Sequence, residues 1–182
     1  MHDGQTGADE KLVKKAQKGN TKAFATLYHR IYQDLYRFAL YTVKHREDAE
    51  DVVSNACFTA FQKIGQLKSA ASFRPWMFQI TANECRMVFR RRKFRGEEEL
   101  SESFVLPGRD EELATAVAAA LDVLSDEDRM IVLLSAFGGY TSAEIAEMLE
   151  IAPGTVRSRK SRAYDTMRPY LSEDGEVYDA GK

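Results

Sequence analysis

Four side chains near the C-terminus have the chemistry to read a nucleic acid. Arg157, Ser158, Ser161 and Arg162 fall at i, i+1, i+4 and i+5, which gathers them into one band of a helix. Arginine can bond guanine through two donors, and serine can donate to or accept from a base edge. Arg159, Lys160 and Arg168 flank that band at phosphate-reaching positions. Thr155 and the unpaired N–H groups of a first helical turn could hold a further phosphate. A second set, Gln79, Asn83, Arg86 and Arg90, recurs at i, i+4, i+7 and i+11 with Arg91 beside it. It makes a polar face opposite Met77, Ile80, Met87 and Val88. Amides that bond bases and guanidinium groups that take phosphate suit a single strand. A third set, Asp48, Glu50 and Asp51, precedes an apolar helical pattern, where acids are favoured by the helix dipole.

Catalytic and metal chemistry find little support. His29 and His45 belong to no HExxH or ExxH pair, and no glycine-rich phosphate loop occurs. Cys57 and Cys85 form no CxxC pair and no zinc spacing, as expected of reduced thiols in a cytoplasmic protein. No catalytic residue, metal ligand or cofactor is expected.

The elements that must position these residues read as helices almost throughout. A first helix is expected over about 9–18, ended by Gly19-Asn20. Thr21 begins a second, striped by Phe24, Leu27, Tyr28, Ile31, Leu35, Phe38 and Ala39. A third spans about 47–64, with Val52, Val53, Ala56, Phe61 and Ile64 apolar. After the loop 66–72, a fourth runs about 73–93, with Pro75 in its first turn and Trp76 expected in the core. Residues 96–110 lose this periodicity and contain a Glu97-Glu98-Glu99 run, Pro107 and Gly108, which reads as an acidic flexible linker. Helical stripes resume through Leu113, Val117, Ala120, Leu121 and Leu124, and Ser125 can cap the next helix. Thr141-Ser142-Ala143-Glu144 matches a capping box. Small Ala146, a turn at Glu150-Ile151-Ala152 and Pro153 opening another helix then make a helix-turn-helix.

The expected fold is therefore all-α. Two small helical domains, 9–95 and 111–171, are joined by the linker and flanked by tails at 1–8 and 172–182. With 182 residues, 44% hydrophobic and 30% charged, the chain can bury such cores. Its net charge of −2 hides segregated blocks: Arg86, Arg90, Arg91, Arg92, Lys93 and Arg95 lie in one stretch, glutamates follow in the linker, and Arg157–Arg168 is basic again. No apolar run is long enough for a membrane span, and the polar N-terminus does not read as a signal peptide.

The order of these features resembles bacterial RNA polymerase sigma factors of the extracytoplasmic-function (ECF) type. The resemblance covers roughly 9–170. It rests on Ala23-Phe24 with Leu27-Tyr28, on Arg46 to Val53, on Phe73-Arg74-Pro75-Trp76-Met77-Phe78 with Ile80-Thr81-Ala82-Asn83, on the arginine run, and on Glu144-Ile145-Ala146 with Gly154 to Arg159. It implies that the first domain docks on the clamp coiled coil of core RNA polymerase through Asp48, Asp51, Val52 and Asn55. The family usually has glutamate where Asn55 stands, so one charge of that face is missing. It implies that Gln79, Asn83, Arg86, Arg90 and Arg91 engage the −10 promoter element, with the loop 66–72 capturing a flipped base. The second domain, beside the polymerase flap, would read the −35 element through Thr155, Arg157, Ser158, Arg159, Lys160, Ser161 and Arg162. An anti-sigma factor is the further implied partner. The linker glutamates read either as a solvated spacer or as a mimic of nucleic-acid charge lying in the polymerase channel that later holds RNA. A free-standing helix-turn-helix regulator is the nearest other reading, and a helical metalloenzyme a distant one.

Overall fold

A computed structural model of the chain describes the backbone of residues 3–96 and 111–171. The expected linker lies almost wholly outside the described residues, as does the C-terminal tail. The described residues hold eight α-helices and no strand: α1 (Asp3–Gln17), α2 (Thr21–Val43), α3 (Arg46–Lys63), α4 (Phe73–Arg95), α5 (Glu111–Asp122), α6 (Asp126–Ala136), α7 (Ser142–Leu149) and α8 (Pro153–Leu171). They form two compact units, one carrying α1–α4 and the other α5–α8. The first helix begins at Asp3, so most of the stretch expected as a tail is helical.

In the first unit the helix ends are set by local chemistry. Asn20 caps α2 by accepting from the Ala23 N–H at 2.9 Å. Lys44 closes it in the left-handed region at φ 55° and donates its N–H to Leu40 O at 2.9 Å. His45 then caps α3, its Nδ1 accepting from Asp48 N–H at 3.4 Å. The core joins Leu35, Phe38, Ala39 and Val43 of α2 to Ala49, Ala56 and Ala60 of α3 and Met77, Phe78, Ala82 and Cys85 of α4, all fully buried. The alanines let the helix backbones approach, and Phe38 meets Phe78 edge-on at 5.5 Å. The buried hydroxyls of Thr42 and Thr81 donate to Phe38 O and Met77 O one turn back, so neither goes unpaired. Gln17 of α1 donates to Leu67 O at 2.8 Å and anchors the loop before α4.

Two arginines fix α4. At its start, Arg74 pairs with Asp34 of α2 at 2.9 Å and lies 5.1 Å from the Phe78 ring. Near its end, Arg92 pairs with Asp48 of α3 at 2.6 Å. Trp76 is half-buried beside Phe73 rather than in the core.

In the second unit α6 is apolar almost all round, with Met130 to Leu134 buried. Ser125 caps it, accepting from Asp128 N–H at 3.2 Å, and its first turn carries Asp126, Glu127 and Asp128. Arg129 is 1% exposed. Its guanidinium donates to Leu121 O at 3.1 Å, Leu124 O at 2.9 Å and Asp126 Oδ1 at 3.1 Å, stitching the end of α5 to the start of α6. The turn after α6 needs its glycines. A Cβ at Gly138 would lie 2.3 Å from the Tyr140 ring and 2.5 Å from Leu134 O, and Gly139 has φ +68°.

Candidate nucleic-acid interface

The helix-turn-helix is built as its sequence pattern requires. Thr141 Oγ1 accepts from Glu144 N–H at 3.3 Å, while Thr141 N–H donates to the Glu144 carboxylate at 2.8 Å. The Thr141 N–H bond, and a second from the Thr141 hydroxyl to the same carboxylate at 2.7 Å, hold the Glu144 carboxyl below its ordinary range. Ile145, Ala146, Met148 and Leu149 are buried. Glu150 turns the chain at φ 56°, its N–H directed at Ala146 O and Glu147 O, and Pro153 opens α8.

Along α8, Val156, Ala163 and Met167 make the buried stripe at 0%, 3% and 5% exposure. Arg157, Ser158, Ser161 and Arg162 point away from it and are exposed, as is Thr155 at the first turn. Ser158 Oγ donates to Thr155 O at 3.1 Å and Arg162 Nε to Ser158 O at 3.4 Å, tying the band to its own helix. Arg168, further on, pairs with Asp165 at 3.0 Å.

Arg159 and Lys160 behave differently. They flank the buried stripe on its two sides and are half-buried. Arg159 Nε donates to Asp128 Oδ1 at 2.7 Å, and its Nη1 pairs with Glu127. Burial opposes charge on both Asp128 and Arg159. The mutual hydrogen bond and charge outweigh it, lowering the Asp128 pKa and raising that of Arg159. Lys160 Nζ donates to Ser135 Oγ at 3.4 Å and stands 6.0 Å from the Tyr164 ring. Both cations were expected among the DNA contacts, yet both are engaged inside their own unit.

On α4, Asn83, Arg90 and Arg91 are exposed, while Gln79 and Arg86 are half-buried; Arg86 Nη1 donates to Asn83 Oδ1 at 3.4 Å. The structure brings Gln79, Asn83, Arg86 and Arg90 to one face as the spacing predicts. Met87, expected on the opposite apolar side, is 48% exposed and stands one turn beyond Asn83. Phe94, about two turns further along, is 93% exposed. The outward face of α4 thus mixes amide, guanidinium and apolar groups. Arg92, in the middle of the arginine run, turns inward to Asp48.

The expected docking residues of α3 divide. Asp51 and Asn55 are exposed. Asp48 is occupied by Arg92 and lies 3.7 Å from His45 Nδ1. Val52 is 1% exposed and cannot be a contact: it lies on the same inward ridge as Ala49, Val53 and Ala56. The apolar residue on the outward ridge is Phe58, in a row of about three turns that runs Asp51, Asn55, Phe58 and Gln62, all exposed. Phe58 is 64% exposed, and the sequence reading passed over it. Its signal was an aromatic lying off the apolar stripe. His29 is exposed, Cys57 half-buried and Cys85 buried; burial, set against a hydrogen bond with Tyr28, raises the Cys57 pKa and disfavours its thiolate. Among the described residues no group of three or more His, Cys, Asp or Glu is arranged to hold a metal, and no helix is long and apolar enough to cross a membrane.

Comparison with known proteins agrees with this arrangement. The family described as Sigma-70 region 2 matches residues 27–95, and Sigma-70 region 4 matches 114–167. The chain is 32% identical over 158 residues to the ECF RNA polymerase sigma factor SigM of Mycobacterium tuberculosis H37Rv, covering 86% of this chain and 81% of that protein. Among solved structures it is similar to CnrH in complex with the cytosolic domain of CnrY, at a TM-score of 0.67 and 27% identity, over 92% of this chain and 99% of that one. It shares its fold with the sigma factor RpoE in complex with the anti-sigma factor NepR from Bartonella quintana, at a TM-score of 0.74 and 23% identity, over 85% and 99% of the two chains. The paired matches to regions 2 and 4, with a relative above 30% identity over most of both chains, place this chain in the ECF family of RNA polymerase sigma factors.

Proposed function

We propose that the chain acts as an alternative sigma factor in the cytoplasm, directing core RNA polymerase to a particular set of promoters. The observation that carries this reading is the outward band of α8. Arg157, Ser158, Ser161 and Arg162 are exposed together behind a capped helix and a tight turn, the presentation that lets a helix enter a major groove. This band reads the −35 element. The outward face of α4, with Asn83 and Arg90 at its centre and Gln79, Arg86 and Arg91 around it, takes the −10 element as its strands part. The loop 66–72 takes an unstacked base, and the tether from Gln17 to Leu67 O supports that reading. Docking on the polymerase clamp falls to the exposed ridge of Asp51, Asn55 and Phe58. The polymerase supplies the catalysis, and this chain supplies the address.

An inhibitor is part of the reading. CnrH and RpoE are both seen bound to a second protein, CnrY and the anti-sigma factor NepR respectively. Exposed Tyr32, Phe58 and Phe61 on α2 and α3 are apolar area that such a partner would cover until a signal releases it. The domain limits of 9–95 and 111–171 and the place of the linker in the polymerase belong to this proposal too.

The test is transcription from genomic DNA fragments with core polymerase, followed by mapping of start sites. The reading expects transcripts that share one −35 and −10 pair, and weak duplex binding by the chain alone. Tight, specific binding to an operator without polymerase would replace it with the free-standing regulator.

A further inference from the structure

Arg159 lies on the reading helix but outside its reading band. Its guanidinium crosses to the capped first turn of α6. There Nε donates to Asp128 Oδ1 at 2.7 Å and Nη1 pairs with Glu127. Asp128 is itself held, since its other oxygen accepts from Ser125 Oγ at 2.7 Å. Ser125 is the residue that caps α6, so the chain of bonds ends on the cap of that helix.

The surrounding packing leaves this connection much to do. The buried stripe of α8 is narrow: Val156, then a small Ala163, then an adaptable Met167. The edge between α8 and the start of α6 is an open groove whose walls include Asp128 and Arg159 themselves, with Leu124, Thr155, Arg162 and Thr166, so their pairing spans a gap that close packing leaves open. On the opposite flank Lys160 Nζ reaches Ser135 Oγ at the longer distance of 3.4 Å, while α5 and α7 pack along the buried stripe. A narrow stripe with one open flank permits a helix to roll about its axis. Two donors of one planar guanidinium, engaged by two carboxylates, fix direction as well as distance.

We propose that Arg159 is a positioning residue. Through Asp128 and Glu127 it sets the roll of α8, so that Arg157, Ser158, Ser161 and Arg162 face the groove together. This rests on α8 being the −35 helix. It removes Arg159 from the phosphate contacts, and it assigns Asp128, an acid, a supporting role in DNA binding.

That last consequence separates the two roles by sign. Removing an acid near DNA strengthens binding if only charge matters. Under the latch, Asp128→Asn weakens it. The experiment uses the full chain assembled with core polymerase and a promoter fragment recovered from the transcription mapping. Promoter affinity is measured against KCl concentration for Arg159→Gln, Asp128→Asn, the double variant, Arg159→Lys and Arg162→Ala. Each of the first two is expected to weaken binding about fivefold, the scale of one partly exposed ion pair. The double variant should be no worse than either single one. Arg159→Lys, with one centre of charge in place of a fork, should not restore affinity. The dependence of log affinity on log salt should stay unchanged, whereas a lost phosphate contact lowers that slope by about one. Circular dichroism at the assay temperature checks that each variant is folded, and if Arg159→Gln is not, Asp128→Asn alone carries the sign test. Equal or tighter binding by Asp128→Asn, additive losses, or a slope reduced by about one overturns the latch. If Arg162→Ala also leaves binding untouched, α8 is not the reading helix and the underlying assignment falls with it.

Discussion

Phe58 and Val52 lie six residues apart on different faces of α3, and truncating each should separate docking from folding. Val52 is 1% exposed, so Val52→Ala removes two buried methyl groups. At about 0.8 kcal/mol per buried carbon plus a term for the cavity left behind, the first unit should lose about 2–3 kcal/mol of stability. Phe58 is 64% exposed, so only about a third of its ring is covered in the free chain. Scaling a full aromatic burial of about 3 kcal/mol by that fraction, Phe58→Ala should cost about 1 kcal/mol of stability. Its effect on polymerase should be larger. An aromatic anchor at the centre of a docking face is worth about 2 kcal/mol or more, which is about 30-fold in Kd. Urea denaturation reads the first quantity, and competition for core polymerase against a fluorescently labelled wild-type chain reads the second. Phe58→Ala should bind weakly while nearly as stable as wild type. Val52→Ala should be less stable yet bind normally once the folded fraction is taken into account. If Phe58→Ala competes as well as wild type, the outward ridge of α3 is not the docking face.

Three further outcomes follow from named contacts. Arg157→Ala and Arg162→Ala should each cost about 1–3 kcal/mol at particular −35 base pairs, and substituted promoters should show which pair each arginine reads, because the loss disappears when its own pair is changed. Arg129→Met should remove the guanidinium donors from Leu124 O and Leu121 O, leaving Leu121 O to the Leu124 N–H at 3.3 Å, and destabilise the second unit by about 3 kcal/mol, measured as the loss in its denaturation midpoint, while the first unit unfolds as before. Lowered carboxyl pKa values at Asp128 and Glu144 mean stability that is fully present above about pH 4 and is lost as pH falls through the lowered folded values. Acid denaturation of the second unit should therefore be shallower in the Asp128→Asn, Glu144→Gln double variant, and an unchanged acid limb would count against both pairings.

The fold was largely legible because it follows local rules. The helices of both units show as apolar stripes with a period near 3.6, and the ends near Gly19, Ser125 and Thr141 are written in capping chemistry that spans three or four residues. That Arg157, Ser158, Ser161 and Arg162 share one exposed face of α8 was legible for the same reason, since four residues within six positions need only the helical repeat to be brought together. Val52 was misread although the repeat was available: it shares a ridge with Ala49 and Ala56, and its apolar character alone could have kept it inside. Met87 was misplaced likewise, its position one turn from Asn83 being ignored in favour of its hydrophobicity. The pairings of Arg92 with Asp48 and Arg159 with Asp128 were not legible at all. They join residues 44 and 31 positions apart, and nothing local specifies which acid an arginine will find across a helix interface.

Those long-range pairs change how the basic segments should be counted. Each helix proposed to face DNA carries arginines of two kinds. On α4, Arg90 and Arg91 are exposed, but Arg74 and Arg92 bind Asp34 and Asp48 near its two ends and hold the helix against α2 and α3. On α8, Arg157 and Arg162 are exposed, and Arg159 binds Asp128 and Glu127. A guanidinium spent on a neighbouring helix releases no counterion when DNA arrives, so the salt dependence of promoter binding should reflect the outward arginines and not the full run. The acids follow the same division. Asp48 stabilises α4 from within, which leaves Asp51 as the charge of that pair available to a basic polymerase surface. Asp48→Asn should then disturb the α3–α4 contact and the −10 step together, whereas Asp51→Asn should weaken docking alone. Measuring core-enzyme affinity and the rate of promoter opening for both variants distinguishes the two, and a docking defect confined to Asp48→Asn would show that its pairing with Arg92 gives way in the complex.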